Sequence, residues 1–293
     1  MFGGQVADEH DMAQPPKDSQ ELSEATEPLA APYAQSATQD DATPSDNELI
    51  QLWWRLPDWF FRAVGIGFFV LYGGWRVSRY DAQLALIQYL PLPGLAFKLP
   101  VPAPTILVDI TYLLIVAGFC FRIQPLRRVS DLKMILVSMT GAFLPFLPLV
   151  IGGWLEHFVG GAPADRWQAF LGFESARVSQ PKVAAGVLLN VVALLIEIWG
   201  YAYLVRSVSI VPEARELKVT GPYRLVRHPI YLGQILAQIA VWLLLARWHP
   251  IWLLFVGVFA TFQLIRGRWE DRVLEAAFGE PYRVWKKRTF WFV

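Results

Sequence analysis

From Leu52 onward the chain alternates long apolar runs with short connections rich in charge or proline, whereas residues 1–50 hold almost no large apolar side chains. Runs near 20 residues cross the hydrocarbon layer of a bilayer as helices, and soluble cores do not repeat them. The pattern predicts six spans, at about 56–77, 104–122, 132–154, 183–205, 229–246 and 250–267. The fold class is all-α, a multi-pass helical membrane protein. Only Arg247-Trp248-His249 separates the last two spans, so they form an antiparallel hairpin. Between the first two, Pro91, Pro93, Pro100, Pro102 and Pro104 favour a loop or interfacial crossing over a helix. Residues 156–182, with Trp167, Phe170 and Phe173 among mixed charges, read as an interfacial segment. The first 50 residues cannot bury enough surface to offset chain ordering, and a disordered acidic tail with no signal peptide is expected.

Composition supports this reading and adds a direction. The 293 residues are 55% hydrophobic and 14% aromatic, with a mean hydropathy of +0.36, and the net charge of +1 hides strong segregation. With the N-terminus inside, 19 of the 26 Lys and Arg fall on the inner side. The positive-inside rule then puts both termini and the Val219–Gly233 loop in the cytoplasm, with Arg76 and Arg79 against the trend. One cysteine, Cys120, and four scattered histidines, His10, His157, His228 and His249, give no disulfide framework and no metal-ligand spacing. No metal and no nucleic-acid partner are expected.

Polar residues interrupt the last three spans at helical spacing. Asn190, Glu197 and Tyr201 share one face of the fourth span, and a carboxyl at that depth should face the protein interior or water. Interhelical packing explains Glu197 as well as a functional role does. Tyr231, Gln234 and Gln238 follow at i, i+3 and i+7 on the fifth span, and Gln263, Arg266 and Glu270 repeat that spacing on the sixth. An antiparallel hairpin brings the start of the fifth span to the end of the sixth. Arg227, His228 and Tyr231 should therefore meet Arg266, Glu270 and Asp271. Beyond the sixth span, Val273, Leu274, Ala277 and Phe278 suggest an amphipathic interfacial helix ended by Gly279. Tyr282 and Trp285 follow as aromatic anchors, before a basic Lys286-Lys287-Arg288 run.

The stretch Val219–Gly233 concentrates two arginines, a histidine, two tyrosines, two prolines and two glycines. Gly221-Pro222 reads as a turn, and Pro229 suits the first position of a helix, with His228 at its cap. Free N–H groups there, beside Arg224 and Arg227, suit an anion; a basic interfacial loop obeying topology rules is the alternative.

Gly221-Pro222-Tyr223-Arg224-Leu225-Val226-Arg227-His228-Pro229-Ile230-Tyr231-Leu232-Gly233 resembles the G-x-Y-x-x-x-R-H-P-x-Y-x-G signature of the isoprenylcysteine carboxyl methyltransferase family, which is related to the phospholipid methyltransferases. Glu270-Asp271, Leu274, Phe278-Gly279 and Tyr282 are similar to that family's E-E-x-x-L-x-x-x-F-G-x-x-Y block. The likeness covers about residues 183–293 and departs at Asp271, where the family has Glu, and at Thr289-Phe290, where it has Val-Pro. It divides the chain into a tail (1–50), three helices of unassigned role (51–182) and a methyltransferase core (183–293).

The resemblance implies an integral membrane methyltransferase that uses S-adenosylmethionine in a cytoplasm-facing pocket, with a lipid-linked acceptor entering from the bilayer. By position, Tyr223, His228, Pro229, Tyr231, Gly233, Glu270 and Asp271 would form the cofactor site. Arg227 and Glu270 would be catalytic, and Arg227, Gln234, Arg266 and Glu197 would face the acceptor. A carboxylate acceptor oriented by Arg227 is favoured. A phospholipid amine or a thiol acceptor on the same scaffold, a non-catalytic binding or assembly protein, and a nicotinamide-dependent membrane reductase are the alternatives.

Overall fold

The computed structural model describes residues 51, 55–78, 89–91, 98–100, 103–129, 131–171, 180–246 and 249–290. The expected acidic tail, Arg79 and Phe173 lie outside them. The described residues are mostly helical. Helix α1 spans Asp58–Val77, and α2 spans Ala103–Phe121. Helix α3 (Leu132–Phe143) continues through a 3-10 turn into α4 (Leu147–Trp154) and a π-helical turn (Leu155–Val159). Then come α5 (Gly161–Leu171), α6 (Gln180–Leu204), α7 (Pro229–Gln238, prolonged by a π-helical stretch to Leu245), α8 (Pro250–Phe278) and α9 (Glu280–Arg288). Among the described residues, four helical stretches are long and apolar enough to cross a membrane: Pro104–Phe121, Leu132–Val159, Lys182–Leu204 and Pro250–Phe278. The six expected spans all form as helices. Pro229–Leu244 is shorter than the four, and α1, with Asp58, Arg62 and Arg76, is not among them.

Local chemistry sets the boundaries. Asp131 caps α3 by accepting from the Lys133 N–H at 2.9 Å. Pro145 and Pro148 each remove a backbone donor, and the helix tightens to 3-10 geometry between them. Pro229 and Pro250 occupy the first turns of α7 and α8, and His249 Nδ1 caps α8 through the Ile251 N–H. Helix α8 differs from expectation. It does not stop near 267 to let a separate interfacial helix begin, but runs unbroken for 29 residues until Gly279, at φ 57°, turns the chain. From Pro250 to Glu270 it climbs about 30 Å, which equals the thickness of a hydrocarbon layer.

The proline-rich connection forms a short antiparallel pair, β1 (Tyr89–Pro91) with β2 (Lys98–Pro100), in agreement with a non-helical segment. The 156–182 segment differs again, because α5 is a helix that packs on the hairpin. Its Trp167, Phe170 and Leu171 join Trp242, Ala246, Trp252 and Val256 in one apolar cluster, and the Trp167 indole donates to the Pro148 carbonyl at 3.0 Å. Helices α6 and α7 approach closely. A Cβ on Gly200 would lie 2.6 Å from Ile230, and one on Gly233 2.6 Å from Glu197, so both positions require glycine for packing.

The amino-terminal helices are tied to the rest by ions as well as by the Phe69, Ile115, Phe119 and Val208 cluster. Asp58 is buried and receives Arg62 at 2.7 Å, Arg122 at 2.8 Å and Arg215 at 3.1 Å. Glu213 takes Arg215 at 2.5 Å and Arg128 at 3.3 Å. A second two-residue pair, β3 (Arg127–Arg128) with β4 (Glu213–Ala214), brings these groups together. Spare guanidinium donors cap helix-end carbonyls: Arg62 reaches those of Cys120 and Arg122, and Arg215 that of Ile123. Arg76 bonds Asp109 on α2 at 3.0 Å, so this arginine, which ran against the topology count, is internally neutralised.

Removing the Asp58 charge would leave several buried arginines under-compensated. Asp58→Asn is expected to cost about 3–5 kcal/mol in the detergent-solubilised protein. A matched control, Glu275→Gln at an exposed pair with Arg283 and Lys286, should leave the melting temperature unchanged. Equal melting curves for Asp58→Asn and wild type would remove Asp58 from the tie.

Candidate active site

The 206–228 connection folds over the ends of α6 and α8. Gly221, at φ 60°, starts the 3-10 turn Gly221–Arg224, a conformation in which a side chain would be strained. Tyr223 is buried; its hydroxyl donates to the Gly200 carbonyl at 3.4 Å, and its own carbonyl accepts from the Trp285 indole at 3.0 Å. Phe290 pairs with this loop as a short parallel bridge: its N–H donates to Leu225 at 2.9 Å, and its carbonyl accepts from the Arg227 N–H at 3.1 Å. The chain after α9 thus closes back on the motif.

Glu270 and Asp271 are consecutive on α8, so their side chains leave the helix about 100° apart. Asp271 points into the protein. Its Oδ2 accepts from Arg227 Nη1 at 2.8 Å, and its Oδ1 faces His228 Nε2 at 2.8 Å and also accepts from the Tyr282 hydroxyl. Glu270 faces a cavity instead. Its Oε2 accepts from the Tyr231 hydroxyl at 2.7 Å and lies 3.6 Å from His228 Nδ1, which leaves Oε1 without a hydrogen bond among the described residues.

His228 therefore has a carboxylate at each ring nitrogen. Burial opposes its charge, but the bonds to Asp271 and Glu270 outweigh burial and hold its pKa above the usual value. An imidazolium donates from both nitrogens, as this geometry requires. Burial, and then the bond to Asp271, raise the Tyr282 pKa and keep the hydroxyl a donor.

The cavity holds about 260 Å³. Tyr223, His228, Tyr231, Gln234, Arg266, Glu270 and Glu197 line it. The structure thus brings seven of the eleven sequence-predicted site residues to one space. Arg227, Pro229, Gly233 and Asp271 are not in its wall: Pro229 opens α7, Gly233 accommodates α6, and Arg227 with Asp271 forms the lock behind the site. The paired orientation of the two acids is the reason one of them never reaches the cavity.

Arg266 is 4% exposed, donates to Gln263 Oε1 at 2.7 Å and to the Ile210 carbonyl at 2.9 Å, and lies 4.8 Å from the Tyr231 ring centre. Its Nε–H has no partner among the described residues. Gln263 then donates to Gln234 at 2.6 Å, and Gln234 to the Tyr201 hydroxyl at 3.3 Å. This relay follows the polar stripes predicted on three spans.

Sequence reasoning missed the opposite wall. Phe69 of α1, Tyr112, Ile115 and Phe119 of α2, and Phe146 after α3 line the same cavity, and Gly141 gives room to the Arg266 stem, 3.0 Å from where its Cβ would stand. Nothing in their local spacing separates these residues from ordinary apolar helix faces.

A raised His228 pKa stabilises the fold fully below the unfolded value of about 6.5 and loses that contribution as pH rises through the folded value. The melting temperature of purified protein should therefore fall as pH climbs from about 6.5 into the alkaline range. His228→Gln should remove that component; an unchanged pH profile in the mutant would contradict the ionic bridge.

No curated protein and no solved structure matches the chain. A family model described as phospholipid methyltransferase matches residues 181–281, which run from the first turn of α6 into α9 and include the first motif block and the second as far as Phe278-Gly279. Over residues 181–281, about a third of the chain, the sequence is thus similar to the phospholipid methyltransferases, a family of the isoprenylcysteine carboxyl methyltransferase-like membrane methyltransferases.

Proposed function

We propose that residues 183–293 are the core of an S-adenosylmethionine-dependent integral membrane methyltransferase, with its site on the cytoplasmic face and a lipid-linked or membrane-soluble acceptor. The observation that carries this reading is a cavity with an ionic end, Glu270, His228, Tyr231 and Arg266, continuous with an apolar wall from α1 and α2. The ionic end suits the amino-acid portion of the cofactor: Glu270 Oε1 has free acceptor capacity for the ammonium, and the orphaned Arg266 Nε–H suits the carboxylate. The stacked His228 and Tyr231 rings, 5.4 Å apart, offer a flat surface beside them.

S-adenosylmethionine, when bound, supplies an electrophilic methyl group on a sulfonium. The chain's part is to align donor and nucleophile and to exclude water. Asp271, Arg227 and Tyr282 act as positioning residues that clamp the motif loop to α8 and α9. A carboxylate acceptor oriented by Arg227, as the family likeness suggests, competes with the Arg227–Asp271 pair at 2.8 Å. Arg266 is the guanidinium that lines the cavity, and it would take such an acceptor or the cofactor carboxylate, not both.

Glu270→Gln should weaken cofactor binding by roughly 10- to 150-fold, the loss of one charge-assisted contact of about 1.5–3 kcal/mol. Calorimetry with S-adenosylhomocysteine on folded, detergent-purified protein measures it, with NADPH as the control ligand for a reductase. Unchanged affinity in a folded mutant would take Glu270 out of the cofactor site. Reporter fusions after Val226 and Val293 should both give cytoplasmic signal, and an outward signal from either would reverse the sidedness.

A further inference from the structure

Successive residues of α8 turn by about 100°, so Phe259, Gln263, Arg266 and Glu270 face the cavity from one side of the helix. Leu254, Gly257, Thr261, Ile265, Arg268 and Arg272 fall within about 80° of one another on the opposite side. This outer side carries an apolar groove of about 660 Å³, whose lining residues all belong to α8, from Pro250 to Ile265. Leu254 is 65% exposed, and nothing lies within 4 Å of where a Cβ on Gly257 would stand. The Thr261 hydroxyl donates to the Gly257 carbonyl at 2.9 Å, which leaves its methyl group for the groove. Arg268 and Arg272 follow on the same face; both are exposed and make no hydrogen bond or ion pair among the described residues. Glu275, the next acid on that face, is already shared by Arg283 at 3.0 Å and Lys286 at 3.3 Å, and Glu280 also pairs with Arg283. From Gly257 to Arg268 the helix rises about 16 Å, half of a hydrocarbon core about 30 Å thick, which is the depth of one leaflet.

We propose that the outer face of α8 binds one anionic phospholipid, with an acyl chain in the groove over Gly257 and the phosphate held between Arg268 and Arg272. This lipid is a bound ligand and not a methyl acceptor, because α8 itself stands between the groove and the cavity. The inference does not depend on the methyltransferase reading. Charge selects the occupant. Two unpaired guanidinium groups favour a phosphate with net negative charge over a zwitterionic headgroup, whose own ammonium offsets the phosphate. Free phosphate would leave the groove unfilled, and exposed apolar side chains there would gain nothing from it. A second copy docked on this face about a two-fold axis along the membrane normal would set Arg268 and Arg272 against their own counterparts, and like charges so placed repel.

Native mass spectrometry of the full chain, released from nanodiscs that mix phosphatidylglycerol with phosphatidylcholine, tests the site. Wild type should retain phosphatidylglycerol over phosphatidylcholine. Replacing both arginines, Arg268→Gln with Arg272→Gln, should lower that preference about 30-fold, or about fivefold for each arginine. Gly257→Leu fills the groove and leaves both charges in place, and it too should lower retention of the lipid. A general attraction between basic residues and an anionic leaflet would be indifferent to that change. Glycerol 3-phosphate, which has the phosphate but no chain, should not displace the bound lipid. All three positions are exposed, and an unchanged melting temperature in lipid-free detergent shows that a variant is folded. Either set of substitutions, once folded, decides the matter. Equal retention of the two lipids by wild type overturns the proposal. So does a folded Gly257→Leu, or a folded double arginine variant, that retains phosphatidylglycerol as wild type does. Displacement by glycerol 3-phosphate would assign the arginines to a free anion, and a wild-type dimer that Gly257→Leu dissociates would assign the groove to a second copy; each overturns the lipid site.

Discussion

One carboxylate decides whether the site exists. Asp271 accepts from Arg227 and Tyr282 and pairs with His228, joining the motif loop, α8 and α9 at a single buried point. Each donor comes from a segment that otherwise crosses or lines a boundary between water and hydrocarbon, where loops have little apolar surface with which to anchor themselves. Removing one member of such a cluster leaves the others desolvated and uncompensated, so the cluster behaves as a unit. The departure from Glu to Asp at this position fits an inward role, since a shorter arm suffices for partners 2.8 Å away.

The cavity is defined by what that lock leaves over. Because Asp271 is turned inward, Glu270 is turned outward by the pitch of the helix, and its unshared oxygen faces the cavity. His228 touches both acids and so couples the lock to the cavity: a change of its charge alters the fold and the ionic wall together. The relay through Gln263, Gln234 and Tyr201 extends polarity about two turns into the apolar bundle without leaving those groups unpaired.

The amino-terminal helices also have a place in this design. Phe69, Ile115 and Phe119 supply an apolar wall opposite the ionic one, and Gly141 admits Arg266. The Asp58 and Glu213 cluster holds that wall in register with the motif loop through Arg122, Arg128 and Arg215. A segment that lies outside the residues matched by the family model thus completes a cavity whose ionic wall comes from the other half of the chain.

Much of this was legible in the sequence, for physical reasons that differ by element. Apolar runs gave the spans because a bilayer demands length and hydrophobicity locally. The three-residue connection at 247–249 forced α7 against α8, and the i, i+3, i+7 polar stripes followed from helical pitch, so the sequence alone places Tyr231, Gln234, Gln263, Arg266 and Glu270 on facing stripes. The division of labour between Glu270 and Asp271 was not legible, because adjacent acids look alike until the helix fixes their directions. Nor was the continuation of α8 past residue 267, where Val273, Leu274 and Phe278 suit a transmembrane extension as well as a separate interfacial helix. Helix α5 needed the Trp242 and Trp252 cluster to support it, and the aromatic wall of the cavity needed α2 to be folded against α6 and α1 against α2. Local pattern determined which segments are helices and which polar residues share a face; only the packing of distant segments decided which charges are neutralised in the interior and which remain to meet a ligand.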